Sequence, residues 1–124
     1  MAKTDETTPF LGIDLGGTNV QIGVVNGAGD VLSRAKRKTI AEEGRDAVLG
    51  RIVDGVKEAC DIAGVPLEKI HAVGMGAPGP VDPGTGIVLE AVNLRWTNEP
   101  IAQLLGDTLG KPVYLDNDVN VAVY

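Results

Sequence analysis

Gly12-Ile13-Asp14-Leu15-Gly16-Gly17-Thr18-Asn19 is the stretch on which the reading of this chain turns. An apolar run, Phe10 to Leu15, leads into it, and a second, Val20 to Val25, leads out. The paired glycines therefore stand at a reversal between two short strands. Lacking Cβ atoms, Gly16 and Gly17 permit a tight turn with exposed backbone N–H groups. Those amides and the Thr18 hydroxyl can donate to phosphate oxygens. Asp14, at a strand end, can hold Mg²⁺ or one of its waters. A plain hairpin turn also favours Gly-Gly beside Asn, so the stretch alone leaves both readings open. A Walker-type loop is excluded, because no Gly-x-x-x-x-Gly-Lys-Ser/Thr occurs.

Working outward, Asn26-Gly27-Ala28-Gly29-Asp30 breaks the second run, and Val31 to Ile40 follows as a third. Three short strands joined by Gly-rich turns predict an antiparallel meander. Val48, Ile52, Val53, Val56, Ala59, Cys60 and Ala63 recur at spacings of three and four, which predicts an amphipathic helix closed by Gly64 and Pro66. Gly50 and Gly55 inside it each cost about 1 kcal/mol relative to Ala, and close packing against the sheet would account for them. Ile70 to Met75 reads as a buried strand, Val81 to Gly86 as a turn-rich loop, and Ile87 to Val92 as another strand. A second helix covers Ile101 to Leu109, stopped by Gly110 and Pro112. Pro112 to Leu115 is a strand, after which Asp116-Asn117-Asp118 opens a further helix. Meander first, then alternating helices and strands, argues an α/β fold. Its mixed sheet has three antiparallel first strands and flanking helices. The expected organisation is a disordered tail over 1–8 and a single α/β lobe over 9–124.

Composition narrows the function classes. The chain has 124 residues, 44% hydrophobic and 23% charged, ordinary for a globular domain. Glycine, at 17 residues, is about twice average usage and points to backbone-built loops. A formal net charge of −6 argues against nucleic-acid and membrane-surface partners, which need an electropositive face. The basic run Arg34, Lys36, Arg37 and Lys38 reads as a solvated strand whose charges discourage edge pairing. Cys60 is the single cysteine and His71 the single histidine, so these residue types build no zinc site. Cys60 is expected to be a buried structural thiol and His71 a strand-edge residue. No apolar stretch approaches the ~20 residues that span a bilayer, and Met1 to Thr8 is polar rather than signal-like. A cytoplasmic protein is expected.

Three further motifs bear on chemistry. Gly74-Met75-Gly76-Ala77-Pro78-Gly79 matches G-x-G-x-x-G in letters, but a dinucleotide loop must open into a helix. Pro80, Pro83, Gly84 and Gly86 forbid one here, so a turn presenting backbone to a small polar ligand fits better. In Asn93-Leu94-Arg95-Trp96, the Trp ring could cover a sugar face and Asn could both donate to and accept from hydroxyls. Packing of Trp96 under a loop is the competing reading. Asp116-Asn117-Asp118 exceeds the single residue that a helix cap requires. A carboxylate beside an amide at a strand end can accept a proton from a hydroxyl that attacks a phosphoryl group.

In this order, the motifs resemble the ROK family of bacterial sugar kinases, particularly its glucokinases. The carrying residues are Gly12 to Asn19, Gly76-Ala77-Pro78-Gly79-Pro80-Val81-Asp82, Asn93-Leu94 with Trp96, and Leu115-Asp116-Asn117-Asp118-Val119-Asn120. The resemblance spans Phe10 to Tyr124. It implies an actin-like, ribonuclease-H-like ATPase fold of two lobes, with the active site in the cleft between them. It implies ATP and Mg²⁺ as cofactors, with phosphate-loop roles for Asp14, Gly16, Gly17, Thr18 and Asn19. It implies sugar contacts from Gly79, Asn93, Asn117 and Asp118, with Asp118 rather than Asp116 as catalytic base. Family members run to about twice this length or more, and their second lobe carries the Cys/His zinc motif and a further nucleotide-binding segment. The chain therefore reads as an N-terminal lobe, inactive by itself, from an enzyme that phosphorylates a hexose such as glucose. A small-molecule sugar is the expected partner, and self-association is an open expectation. The alternatives are a non-catalytic sugar-binding or interaction module, and a fragment of a transcriptional repressor of the same family.

Overall fold

A computed structural model describes residues 5–117. β1 (Pro9–Leu15), β2 (Asn19–Asn26) and β3 (Val31–Lys38) form the expected antiparallel meander. α1 (Arg45–Ala63) follows, then β4 (Val73–Ala77). A small antiparallel sheet comes next, of β5 (Val81–Asp82), β6 (Ile87–Ala91) and β7 (Trp96–Glu99). α2 (Ile101–Leu109) and β8 (Val113–Asn117) complete the described chain. The main sheet runs β3-β2-β1-β4-β8, with β1, β4 and β8 parallel. The mixed α/β sheet expected from the element order is thus present.

Alternation along β1 and β2 sets the layers. Leu11, Ile13, Leu15, Val20, Ile22 and Val24 are buried on one face, while Asp14 and Gln21 are exposed on the other. α1 lays Val48, Ile52, Val56, Ala59 and Cys60 on the apolar face, and α2 adds Ile101, Leu105 and Leu109 to the same core. Leu49 and Val53 of α1 line a groove together with Leu104 and Leu105 of α2, so the two helices share that face. α1 ends at Gly64, whose φ of 68° is left-handed. Val65 N–H reaches Cys60 O at 3.0 Å and Gly64 N–H reaches Asp61 O at 3.2 Å, a Schellman closure. Burial raises the Cys60 thiol pKa above its ordinary value, which suits the expected structural role.

Four local differences from the sequence reading appear. Val81-Asp82, read as loop, is a short strand, and Trp96 to Glu99 is a strand not anticipated at all. Gly74 to Ala77 lies in β4, so only Pro78 and Gly79 form the turn. Asp116 and Asn117, read as a helix opening, are the last residues of β8. Hydrogen bonding to β4 holds them in the strand, in register with Gly76 and Ala77.

Candidate functional site

β1, β4 and β8 run parallel, so their carboxyl ends lie along one edge of the sheet. In open α/β sheets that edge is where ligands bind. Register aligns Asp14 of β1 with Gly76 of β4, and Gly76 with Asp116 of β8. Asp14 and Asp116 therefore stand two strand spacings apart along the backbone, about 9.6 Å, with a glycine between them.

The turn after β1 is the reversal anticipated at Gly16-Gly17. Gly16 N–H donates to Asn19 O at 2.9 Å, closing it. Two further bonds come from Thr39, just beyond β3. Its hydroxyl donates to Gly16 O at 2.7 Å and its N–H to Thr18 O at 2.9 Å. Gly17 lies against Asn93: a Cβ at Gly17 would come within 2.9 Å of Asn93 Cβ. Asn93 sits in the short 3-10 turn Val92–Leu94 between β6 and β7. The phosphate-turn candidate and a sugar-contact candidate, 76 positions apart in sequence, therefore touch.

Gly79 and Asn117 are joined directly, Asn117 Nδ2 donating to Gly79 O at 2.9 Å. Gly79 has φ 79°, and a Cβ there would fall 2.2 Å from the Glu90 carbonyl oxygen, so only glycine fits. A groove of about 250 Å³ runs beside it, lined by Pro78, Gly79, Pro80, Glu90, Ala91, Val92 and Asn93. Asp116 accepts from the Asn117 N–H at 2.7 Å, which fixes its carboxylate at the strand end.

The structure thus brings Gly17 of the turn against Asn93, and Gly79 against Asn117, along the edge where β1 ends just after Asp14. Asp118 lies outside the described residues. Trp96 does not offer a ring face: it is 3% exposed within the core, and its buried Nε1 has no partner among the described residues. Thr39 is the residue that sequence reading missed. It falls near the end of the Val31 to Ile40 stretch, whose polar and apolar residues mix, and nothing local marks its hydroxyl as buried.

Fold and site together define an actin-like α/β fold with a Gly-Gly-Thr turn at the carboxyl edge of its parallel strands. The ROK family model matches residues 10–124, and the chain belongs to that family. A glucokinase of Thermotoga maritima is 37% identical over 115 residues, covering 92% of this chain and 35% of the relative. A xylose repressor of Caldicellulosiruptor bescii is 30% identical over 111 residues, covering 90% of this chain and 28% of the relative. Among solved structures, the ROK family glucokinase from Streptomyces griseus, in complex with glucose and AMPPNP, superposes with a TM-score of 0.83 at 34% identity. That match covers 94% of this chain and 35% of the other. The chain spans about a third of the length of these relatives.

Proposed function

We propose that this chain is the N-terminal lobe of a cytoplasmic, ATP-dependent sugar kinase that converts a hexose, glucose first among candidates, to its 6-phosphate. The observation that carries this reading is the contact of Gly17 with Asn93. A phosphate-holding turn in van der Waals reach of a sugar-holding amide is what transfer between two bound substrates requires. Likeness to the glucokinases supports the substrate class.

In this reading the Gly17 amide and the Thr18 hydroxyl donate to the donor phosphates, while Gly16 and Asn19 close the turn that presents them, Gly16 N–H bonding Asn19 O. Gly79, Asn93 and Asn117 hold sugar hydroxyls, with Asp118 both a sugar contact and the base. Asp118 takes the proton of the attacking hydroxyl. The sugar oxygen bonds to the γ-phosphorus as its bond to the β-bridging oxygen breaks, and ADP leaves. Asp14 suits Mg²⁺: it is an exposed carboxylate beside Gly76, which has no side chain to fill the space a hydrated ion needs. Bound there, Mg²⁺ would offset charge on the donor phosphates.

The test is phosphorylation of glucose by the complete protein carrying this segment. Asp118→Asn is expected to lower kcat about 10²- to 10⁴-fold while glucose still binds. Turnover close to wild type would reject Asp118 as the base. Likeness to a xylose repressor supports the second reading, a sugar-responsive regulator. Glucose binding by the wild-type protein with no phosphorylation would favour that reading.

A further inference from the structure

Thr39 is one of two buried polar residues among the described residues, and it is 0% exposed. All three of its polar groups are engaged. The hydroxyl donates to Gly16 O at 2.7 Å, the N–H donates to Thr18 O at 2.9 Å, and the carbonyl accepts from Arg51 Nη1 at 3.0 Å. Arg51 lies on α1 and is itself paired with Glu43. A chain of contacts therefore runs from the helix through Thr39 to the turn after β1.

The peptide plane gives this a consequence. The bond between Gly16 and Gly17 is trans, so the Gly17 N–H points opposite to the Gly16 carbonyl. Holding that carbonyl on Thr39 aims the Gly17 N–H away from the interior. A cavity of about 270 Å³, lined by Gly17, Thr18, Lys38, Ile40 and Glu42, adjoins the turn. Ile40 follows Thr39 with φ 50° and ψ 62°, a left-handed conformation that strains a β-branched residue. The surrounding bonds hold that strain, and Thr39 supplies three of them.

We propose that Thr39 is a positioning residue for the donor phosphates: its hydroxyl fixes the Gly16–Gly17 peptide so that the Gly17 amide is pre-aimed at a phosphate oxygen. This rests on the kinase reading above. Thr39 does not touch the nucleotide; it acts through the turn. Loss of the hydroxyl frees the peptide to rotate, and its ordering must then be met from binding energy.

The experiment compares Thr39→Val with Thr39→Ser in the complete protein, by calorimetric titration with Mg-ATP and separately with glucose, and by steady-state kinetics. Thr39→Val is expected to weaken Mg-ATP binding about tenfold, the worth of one hydrogen bond, and to raise KM for Mg-ATP alike. Glucose affinity should stay within twofold of wild type, and Thr39→Ser should restore Mg-ATP binding. If Thr39→Val fails to fold, Thr39→Cys, a poor donor of nearly the size of Ser, takes its place with the same expectation. Equal Mg-ATP affinity in the Val, Ser and wild-type proteins would overturn the role of Thr39 alone. Equal losses for Mg-ATP and glucose would reduce Thr39 to general stability and overturn it as well. A wild-type protein that binds no Mg-ATP would overturn both this role and the kinase reading.

Discussion

Gly79 carries two constraints at once. Its φ of 79° is costly for any residue with a Cβ, and that Cβ would meet the Glu90 carbonyl oxygen at 2.2 Å. The obstacle is backbone of β6, which cannot swing aside as a side chain does. Gly79→Ala should therefore cost about 1–3 kcal/mol from the dihedral alone, more once β6 is displaced. Its carbonyl would also shift from Asn117 Nδ2, now 2.9 Å away. Urea unfolding checks the stability, and glucose titration checks the site. A wild-type midpoint would mean the turn is softer than its contacts imply. The glycine was legible in sequence as a turn residue next to a proline. Its partner Glu90 was not, because that contact forms only when β6 folds back.

At the level of elements, α1 holds two glycines of opposite meaning. A Cβ at Gly50 meets nothing within 4 Å, whereas at Gly55 it would come within 2.4 Å of Ile22 Cδ1. Gly50→Ala should stabilise the protein by about 0.5–1 kcal/mol through helix propensity. Gly55→Ala gains the same propensity but overpacks the α1–β2 interface, at a typical cost of about 1–3 kcal/mol. Ile22→Val removes the obstructing methyl, so the double variant Gly55→Ala/Ile22→Val should recover much of the loss. Thermal melts of the four proteins check this; additivity of the Gly55 and Ile22 effects would reject it. The helix span was readable from its 3.6-residue period, and α2 was read at its observed bounds. β7 was not readable, since Trp96 to Glu99 has one apolar residue and no alternation; its pairing with β6 makes it a strand.

For the molecule as a whole, both described helices cover one face of the main sheet. The other face presents a row across the strands: Arg34, Gly23, Gly12, Gly74 and Tyr114, in register. Tyr114 is 67% exposed there. The edge strand β3 is guarded by Arg34, Lys36 and Lys38, so association through that edge is disfavoured. Association of this 124-residue chain through the open face is the expected outcome: sedimentation should show average mass rising with concentration, and Tyr114→Lys should suppress the rise. A single compact monomer at every concentration would contradict it.

The sequence by itself determined the meander, the two helices with their glycine closures, the α/β class and the candidate residues of the phosphate turn. These rest on local chemistry: apolar period, turn residues and backbone freedom act over a few positions, so they can be read in order along the chain. Only the tertiary structure decided that Gly17 abuts Asn93, that Asn117 ends a strand and bonds Gly79, that Trp96 is core, and that Thr39 holds the turn. Each of these is a contact between segments 20 to 80 positions apart, or a strand made by its neighbour's hydrogen bonds. Packing across the sheet selects such pairs, and no window of sequence contains both partners.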